Sequence, residues 1–356
     1  MISLNQHRAG LTQALVATFS DAVDVKDGFA AFFPTKTTNT KNISIEVQRN
    51  GKPLAVDVLR CTDPIRNIFD KSTEKIFTPP YFKLSFDFTS CDAYDITFGR
   101  GMAPSGAAMS DLFASANNEL MALKNMVKRA IQKQYSDVLQ TGIVTLNSGD
   151  NIDYKRKAGS MVVKTVAGEK WTAPTTSDPI ADLKAGCEFL RSTGKSGSST
   201  INAIMGSTAF TNFKTSTKVQ NEADIRNINR IDLGMPQFDN VSGLVYQGQV
   251  GAGDFVVNLW TYNETYEDAN GNEVRFLGTN NVVMLPDDFK GLTVYAGLPA
   301  VMGDPISGQY VGVQEAPFNV YDVIDQVKMS WEYILQSAPL VVPVSIDRIY
   351  TLQTTS

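Results

Sequence analysis

The sequence predicts an α+β fold in which an N-terminal arm and a long β-hairpin precede one very long helix and a mixed α+β domain. Three observations carry that prediction. Apolar and polar residues alternate on both sides of Asn50-Gly51, a helical period runs from Met109 to Val138 within the proline-free interval between Pro104 and Pro174, and short helix and strand signals interleave from Ser177 onward.

The arm comes first. Gly10 to Phe19 has the spacing of a short amphipathic helix, and Phe29 to Phe33 is an apolar cluster closed by Pro34. Little in this stretch could fold alone, so it must pack on something else. From Ile43 the period becomes two. Ile43, Ile45 and Val47 alternate with polar residues, Asn50-Gly51 supplies a tight turn, and Leu54, Val56 and Val58 alternate again. A third run, Phe82, Leu84, Phe86 and Phe88, follows a polar excursion from Asp63 to Lys75 and the Pro79-Pro80 pair. Two-stranded ribbons are marginal in water, so this one is expected to lie on a neighbouring subunit.

The helix is the strongest signal. Met109, Leu112, Ala116, Leu120, Leu123, Val127, Ala130 and Val138 recur at helical spacings, and Thr141-Gly142 is the expected stop. About 30 to 35 residues at ~1.5 Å each make a spine, far longer than the dozen or so of an ordinary helix. β-like segments from Ile143 to Thr165 lead to a polar boundary at Ala173 to Asp178. Pro179 then opens a helix to about Arg191, capped by Ser177 or Asp178. Beyond it the pattern gives a strand at Thr200 to Met205, a helix capped by Ser207, and a charged helical stretch from Val219 to Ile231. Strands follow at Val241 to Gln247, Phe255 to Tyr266, Glu273 to Leu277 and Val282 to Leu285, with a hairpin turn at Asn270-Gly271. The last runs, Met329 to Leu335 and Leu340 to Leu352, are expected to pair back with the region before the boundary.

Composition narrows the function. The 356 residues carry 32 basic and 37 acidic side chains, a net charge of −5, and no basic block longer than Lys155-Arg156-Lys157. A nucleic-acid reader needs a concentrated basic footprint. There is no apolar run of ~18 residues to span a membrane and no signal-type stretch at the N-terminus. Cys61, Cys91 and Cys187 are odd in number and lack metal-type spacing, which fits packing in a reducing compartment.

Catalytic patterns fail one by one. His7 is the single histidine, and it sits in the arm, which leaves little for acid–base or metal chemistry. Gly194-Lys195-Ser196 mimics the end of a phosphate loop, but the required upstream glycine position holds Phe189. Ser192 and Lys195 fit a bare serine–lysine pattern without its companion motifs. Gly248, Gly251 and Gly253 lack dinucleotide-site spacing, and Asp287-Asp288 and the Asp92/Asp95 pair read as solvated loop charge. No catalytic, cofactor or metal residue is assigned.

Short stretches spread along the chain resemble the lambda-like major capsid protein E family of tailed bacteriophages. They are Phe29 to Phe33 leading into Lys41 to Gln48, Phe77-Thr78-Pro79-Pro80-Tyr81, Phe210 to Lys214, Asn280 to Met284, and most specifically Ile334-Leu335-Gln336-Ser337-Ala338-Pro339-Leu340. The resemblance implies the tailed-phage capsid fold: an arm over 1–42, an extended hairpin or E-loop over 43–100, a peripheral domain over 101–176 with the returning strands of 331–356, and an axial domain over 177–330. It implies that Ile65, Arg66, Phe69, Lys71, Lys75 and Phe77 of the E-loop contact a neighbouring subunit. The implied partners are the chain itself, as hexamers and pentamers, a separate scaffolding protein, a portal and an optional decoration protein. The shell would enclose DNA without sequence-specific binding, assembling in the host cytoplasm and ending in the virion. The alternatives are an encapsulin-like nanocompartment shell and, remotely, a serine–lysine hydrolase built on Ser192 and Lys195. Some relatives of this fold crosslink a lysine to an asparagine, yet nothing identifies a partner for Lys71, Lys75 or Lys83. Purified heads should therefore dissolve to monomer in SDS; a resistant ladder of bands would overturn this.

Overall fold

The computed structural model describes residues 25–47, 73–89, 106–146, 151–223, 231–239, 241–268, 270–304, 308–325 and 330–355. The Gly10 to Phe19 helix, the Asn50-Gly51 turn, the Leu54 to Val58 run, His7, Cys61, Cys91 and the Asp92/Asp95 pair lie outside them.

The spine is α1 (Gly106–Gln140), a helix of 35 residues. At ~1.5 Å per residue it is about 52 Å long. Leu120, Val127, Ile131, Tyr135 and Val138 line its buried face at spacings of three, four and seven, the stripe a helix lays on a core. It ends as the Thr141-Gly142 signal predicts. Gly142 takes φ +74°, and its N–H donates to the carbonyls of Asp137 at 3.1 Å and Val138 at 3.0 Å.

Arg156 completes that helix end. Its Nη1 donates to the carbonyls of Leu139 at 3.1 Å and Gln140 at 3.3 Å, and to Thr351 Oγ1 at 3.1 Å. Its Nη2 reaches the carbonyls of Ser160 and Ile349, both at 3.0 Å, and the same Thr351 hydroxyl at 3.1 Å. The last carbonyls of a helix have no partner within it and carry the negative end of its dipole, so a cation there is well placed. One side chain thus ties the spine to the chain's final strand. Burial pushes the guanidinium down to about 10, which still leaves it charged at neutral pH.

The final strand belongs to a seven-stranded sheet. In order across it run β7 (Met161–Val163), β21 (Tyr350–Gln353), β14 (Asn281–Pro286), β8 (Thr200–Met205), β11 (Phe255–Tyr262), β10 (Leu244–Ala252) and β9 (Ile231–Phe238). β21 runs parallel to β7 and antiparallel to β14, so the sheet draws strands from both sides of the Ser177 boundary. Against it lies α2 (Pro179–Ser192), packed through Leu183, Cys187 and Leu190, with α3 (Ser207–Thr215) and α4 (Thr217–Ala223) alongside. Asp178 caps α2, accepting from the Ala181 N–H at 3.1 Å, with Pro179 in the first turn. The α3 cap differs from expectation. Gly206 holds the N-cap position and Ser207 is already helical, because a Cβ at 206 would run into the Gly278 and Thr279 carbonyls. Of the charged helical stretch, α4 covers the described part to Ala223, residues 224–230 lie outside the described residues, and Ile231 opens β9 instead of closing a helix.

A second core lies along the spine. β1 (Thr35–Thr37) pairs in parallel with β15 (Leu292–Tyr295), which pairs with β20 (Pro339–Val342). The segment before β1 is held by its aromatic residues. Phe33 stacks on Tyr135 at 4.9 Å and meets Phe289 edge-on at 5.6 Å, while Phe29 lies 4.8 Å from Tyr262. Gln132 of the spine donates to the Lys26 carbonyl at 2.6 Å. The third alternating run corrects the sequence reading. β4 (Phe82–Thr89) pairs with β19 (Ser330–Ser337), which also pairs β18 (Asn319–Asp325). Phe86 stacks on Tyr333 at 5.3 Å in a small cluster with Leu120 of the spine. This run is therefore covered by its own chain, because β19 offers a full-length partner that the sequence does not announce.

Besides the ribbon at Ile43, three two-stranded ribbons stand apart from these sheets: β5 (Ile143–Thr145) with β6 (Asn151–Asp153), β12 (Thr265–Glu267) with β13 (Glu273–Arg275), and β16 (Leu298–Asp304) with β17 (Gly308–Gln314). Gly271 turns the second with φ +79°. It also supplies a control for the spine stop. Gly271→Ala should cost only the left-handed backbone penalty of ~1–2 kcal/mol, since nothing lies within 4 Å of the added methyl. Gly142→Ala adds a collision with the Arg156 side chain and should lower the urea midpoint measurably further.

Candidate functional site

With no catalytic residue assigned, the ribbon at Ile43 is the candidate contact surface. β2 (Ile43–Val47) pairs antiparallel with β3 (Thr73–Phe77) in the register Ile43 to Phe77, Ser44 to Ile76 and Ile45 to Lys75. Alternation along each strand gives the ribbon two faces. On one, Ile43 is buried and Phe77 packs its ring 5.9 Å from Tyr154, whose hydroxyl donates to the Val341 carbonyl at 2.5 Å. The other face carries Ile76, 67% exposed. A Thr78 hydroxyl bond to Asn42 Oδ1 at 3.3 Å closes the root. The ribbon leaves the body anchored on one side and open on the other.

Of the E-loop residues named from sequence, Ile65, Arg66, Phe69 and Lys71 lie outside the described residues. Lys75 lies in β3 opposite Ile45, and Phe77 turns onto its own chain's Tyr154. Ile76, which sequence reading passed over, is the root residue that faces out. The signal was present in the alternation of Thr73 to Phe77, hidden because that stretch reads as the polar end of a loop.

The catalytic look-alikes resolve into structure. The Ser192 hydroxyl bonds at 3.5 Å to the Phe189 carbonyl of its own helix. Lys195 is exposed with φ +54°, and its carbonyl accepts from Arg348 Nη2 at 3.2 Å. Arg348 also donates to the carbonyls of Gly194 at 3.2 Å and Asp288 at 2.8 Å, and lies 3.1 Å from Asp288 Oδ2. Asp288 in turn accepts from the Ser196 hydroxyl at 2.8 Å and the Gly197 N–H at 3.0 Å. The Gly194–Gly197 loop is thus clamped between an arginine and an aspartate. Asp287 accepts from Asn202 Nδ2 at 2.7 Å, and no group of three metal-ligating side chains occurs among the described residues. Cys187 is wholly buried, and burial pushes its thiol up to about 12. Gly248, in a sheet bulge at φ +138°, gives way to the Asp232 carbonyl.

The clamp has a pH signature. Burial raises the Asp288 carboxyl, but the Gly197 N–H, the Ser196 hydroxyl and Arg348 outweigh it and hold the group below its ordinary 3.8. A carboxyl depressed in the folded chain adds stability above the unfolded value and loses it as pH falls through the folded one. Asp288→Asn should therefore cost about 1 kcal/mol at pH 7, a figure discounted for solvent screening, and the gap to wild type should narrow in urea titrations as pH falls below the ordinary carboxyl value; a gap independent of pH would refute the assignment.

The family comparison adds to this geometry. The family described as phage major capsid protein E matches residues 14–354. Among solved structures, one from Escherichia coli CFT073 described as a prophage capsid protein superposes with a TM-score of 0.61 at 19% identity, covering 98% of both chains. A phage-related protein of Bordetella bronchiseptica RB50 superposes with a TM-score of 0.51 at 13% identity over 96% of each chain. No curated protein matches. At such identities the structures speak for the fold, a tailed-phage capsid fold, and the family match speaks for the role. The chain belongs to the phage major capsid protein E family and is a shell-forming capsid subunit.

Proposed function

We propose that the chain is a purely structural subunit, assembling as hexamers and pentamers into an icosahedral head that encloses a phage genome. The observation that carries this beyond the family is the ribbon rooted at Ile43, bound on one face by Phe77 and Tyr154 and open on the other through Ile76. A two-stranded ribbon gains stability by finding a second surface, and a neighbouring copy supplies one. In this reading Ile65, Arg66, Phe69, Lys71 and Lys75 of the E-loop, with Ile76, contact that neighbour, and Phe77 is the pivot at the root. The division into arm (1–42), E-loop (43–100), peripheral domain (101–176 with 331–356) and axial domain (177–330) belongs to the same reading. So do assembly in the host cytoplasm, a scaffolding protein, a portal and an optional decoration protein.

The charge balance suits the role. A basic lining would hold incoming duplex through counterion release, and a chain with net charge −5 avoids that. No catalysis is assigned: the Ser192 hydroxyl bonds to the Phe189 carbonyl of its own helix, and the Lys195 backbone carbonyl accepts from Arg348 in the clamped loop.

Sedimentation and negative-stain microscopy of the expressed chain test the reading, with hollow shells or capsomer rings tens of nanometres wide as the expected result. DNA inside shells made in infected cells separates a head from an enzyme-filled nanocompartment. Ile76→Asp alters an exposed side chain, so the monomer should melt unchanged while shell yield drops at least tenfold. Undiminished assembly by that variant would remove the ribbon from the interface.

A further inference from the structure

The first described residues of the arm are fixed beside one edge of the seven-stranded sheet. Gln132 of the spine holds the Lys26 carbonyl. Gly28 passes so close to Tyr262 and Leu244 that a Cβ there would fall 2.8 Å and 3.0 Å from their side chains. Lys26 itself lies against the turn that joins β9 to β10. Its Nζ is 3.8 Å from Glu264 and 4.7 Å from the centre of the Phe238 ring, and its Cβ lies 3.2 Å from the place a Cβ on Gly243 would take. The preceding residues of the arm therefore start from the end of β9.

That edge is bare among the described residues. β9 pairs only with β10, and its register slips between Tyr246 and Gly248, so that Gly234, Met235 and Pro236 bulge out of the ladder. Met235 is 90% exposed, Val241 in the turn is 78% exposed, and Phe238 is 51% exposed even beneath the Lys26 ammonium. An apolar sheet edge is a liability unless a helix or loop covers it. The other edge, β7, shows Met161 and Val163 at the opposite end of the sheet.

The sequence just upstream has a matching need. Gly10 to Phe19 contains no charged residue, and Leu11, Leu15 and Phe19 recur every four positions, the spacing of one helical face. A helix of ten residues is marginal in water without a surface to lie on. Only residues 20–25 separate Phe19 from Lys26, about 20 Å of extended chain. A tether that short holds the segment near the patch at an effective concentration on the order of millimolar, which a second copy in dilute solution does not match. We propose that residues 10–19 dock on the β9 edge of their own chain, with Leu11, Leu15 and Phe19 laid over Phe238, Val241 and Met235. The contact forms within a single chain, so it stands apart from the shell-forming reading, and it keeps a bare strand edge from pairing with other copies.

Disulfide trapping in the full chain tests it. In a Cys61→Ser, Cys91→Ser background, where Cys187 is buried, Leu15→Cys and Val241→Cys should join within one chain under mild oxidation. The yield should exceed by at least fivefold that of Leu15→Cys with Met161→Cys on the β7 edge. An apolar dye gives a second readout that does not depend on disulfide geometry. Leu15→Asp should at least double dye binding, and should change nothing once Met235→Asp and Val241→Asp are present. Linkage no greater than the Met161→Cys control, linkage only between chains, or an equal dye response in both backgrounds overturns the proposal. Both measurements use dilute, unassembled chain, so neither outcome depends on shell formation.

Discussion

One buried arginine sets the geometry on which the rest is built. Arg156 reaches the end of the spine, the loop at Ser160 and the last strand at Ile349 and Thr351 at once. Among the described residues its acceptors are all carbonyls and a hydroxyl. A charge buried without a counter-charge is costly unless its donors are well matched, and here the negative end of a 35-residue helix supplies much of the match. Because the acceptors are dipoles, the joint has no acid partner to titrate. Glycine at 142 is part of the same joint, since any larger residue would occupy the guanidinium stem's place.

Around that joint the chain uses its aromatic residues as fasteners. Phe29 and Phe33 dock on Tyr262, Tyr135 and Phe289, and Phe86 docks on Tyr333 beside Leu120. Each joins segments far apart in sequence, and Phe33 and Phe86 bring theirs to the spine at Tyr135 and Leu120. The described end of the arm, from residue 25, and the third alternating run are thereby held by their own chain, while the ribbon at Ile43 and the two sheet edges keep apolar residues facing out. A subunit that must join others divides its apolar surface in this way.

What was legible in the sequence follows from which forces are local. The spine, its glycine stop, the Asp178 cap and the Asn270-Gly271 hairpin depend on residues a few positions apart, and all are as read. Long-range pairing is another matter. That β4 joins β19 and not the ribbon at Ile43 is settled about 240 residues away by the aromatic face of Tyr333 and Trp331, where no local pattern reports it. β9 went unread because Gly234 and Pro236 break its alternation, and the bulge they form is what makes Met235 prominent. The Gly194-Lys195-Ser196 look-alike misleads for a related reason: its purpose is set by Arg348 and Asp288, far along the chain.

The spine is also a lever. Fixed at its C-terminal end by Arg156, a rod of about 52 Å turns a tilt of ~5° at the joint into a displacement of about 4–5 Å at its far tip. That is one strand spacing. Leu120, Val127, Ile131 and Tyr135, packed along the rod, oppose that magnification, so the straightness of the spine is held by its buried stripe as well as by its end.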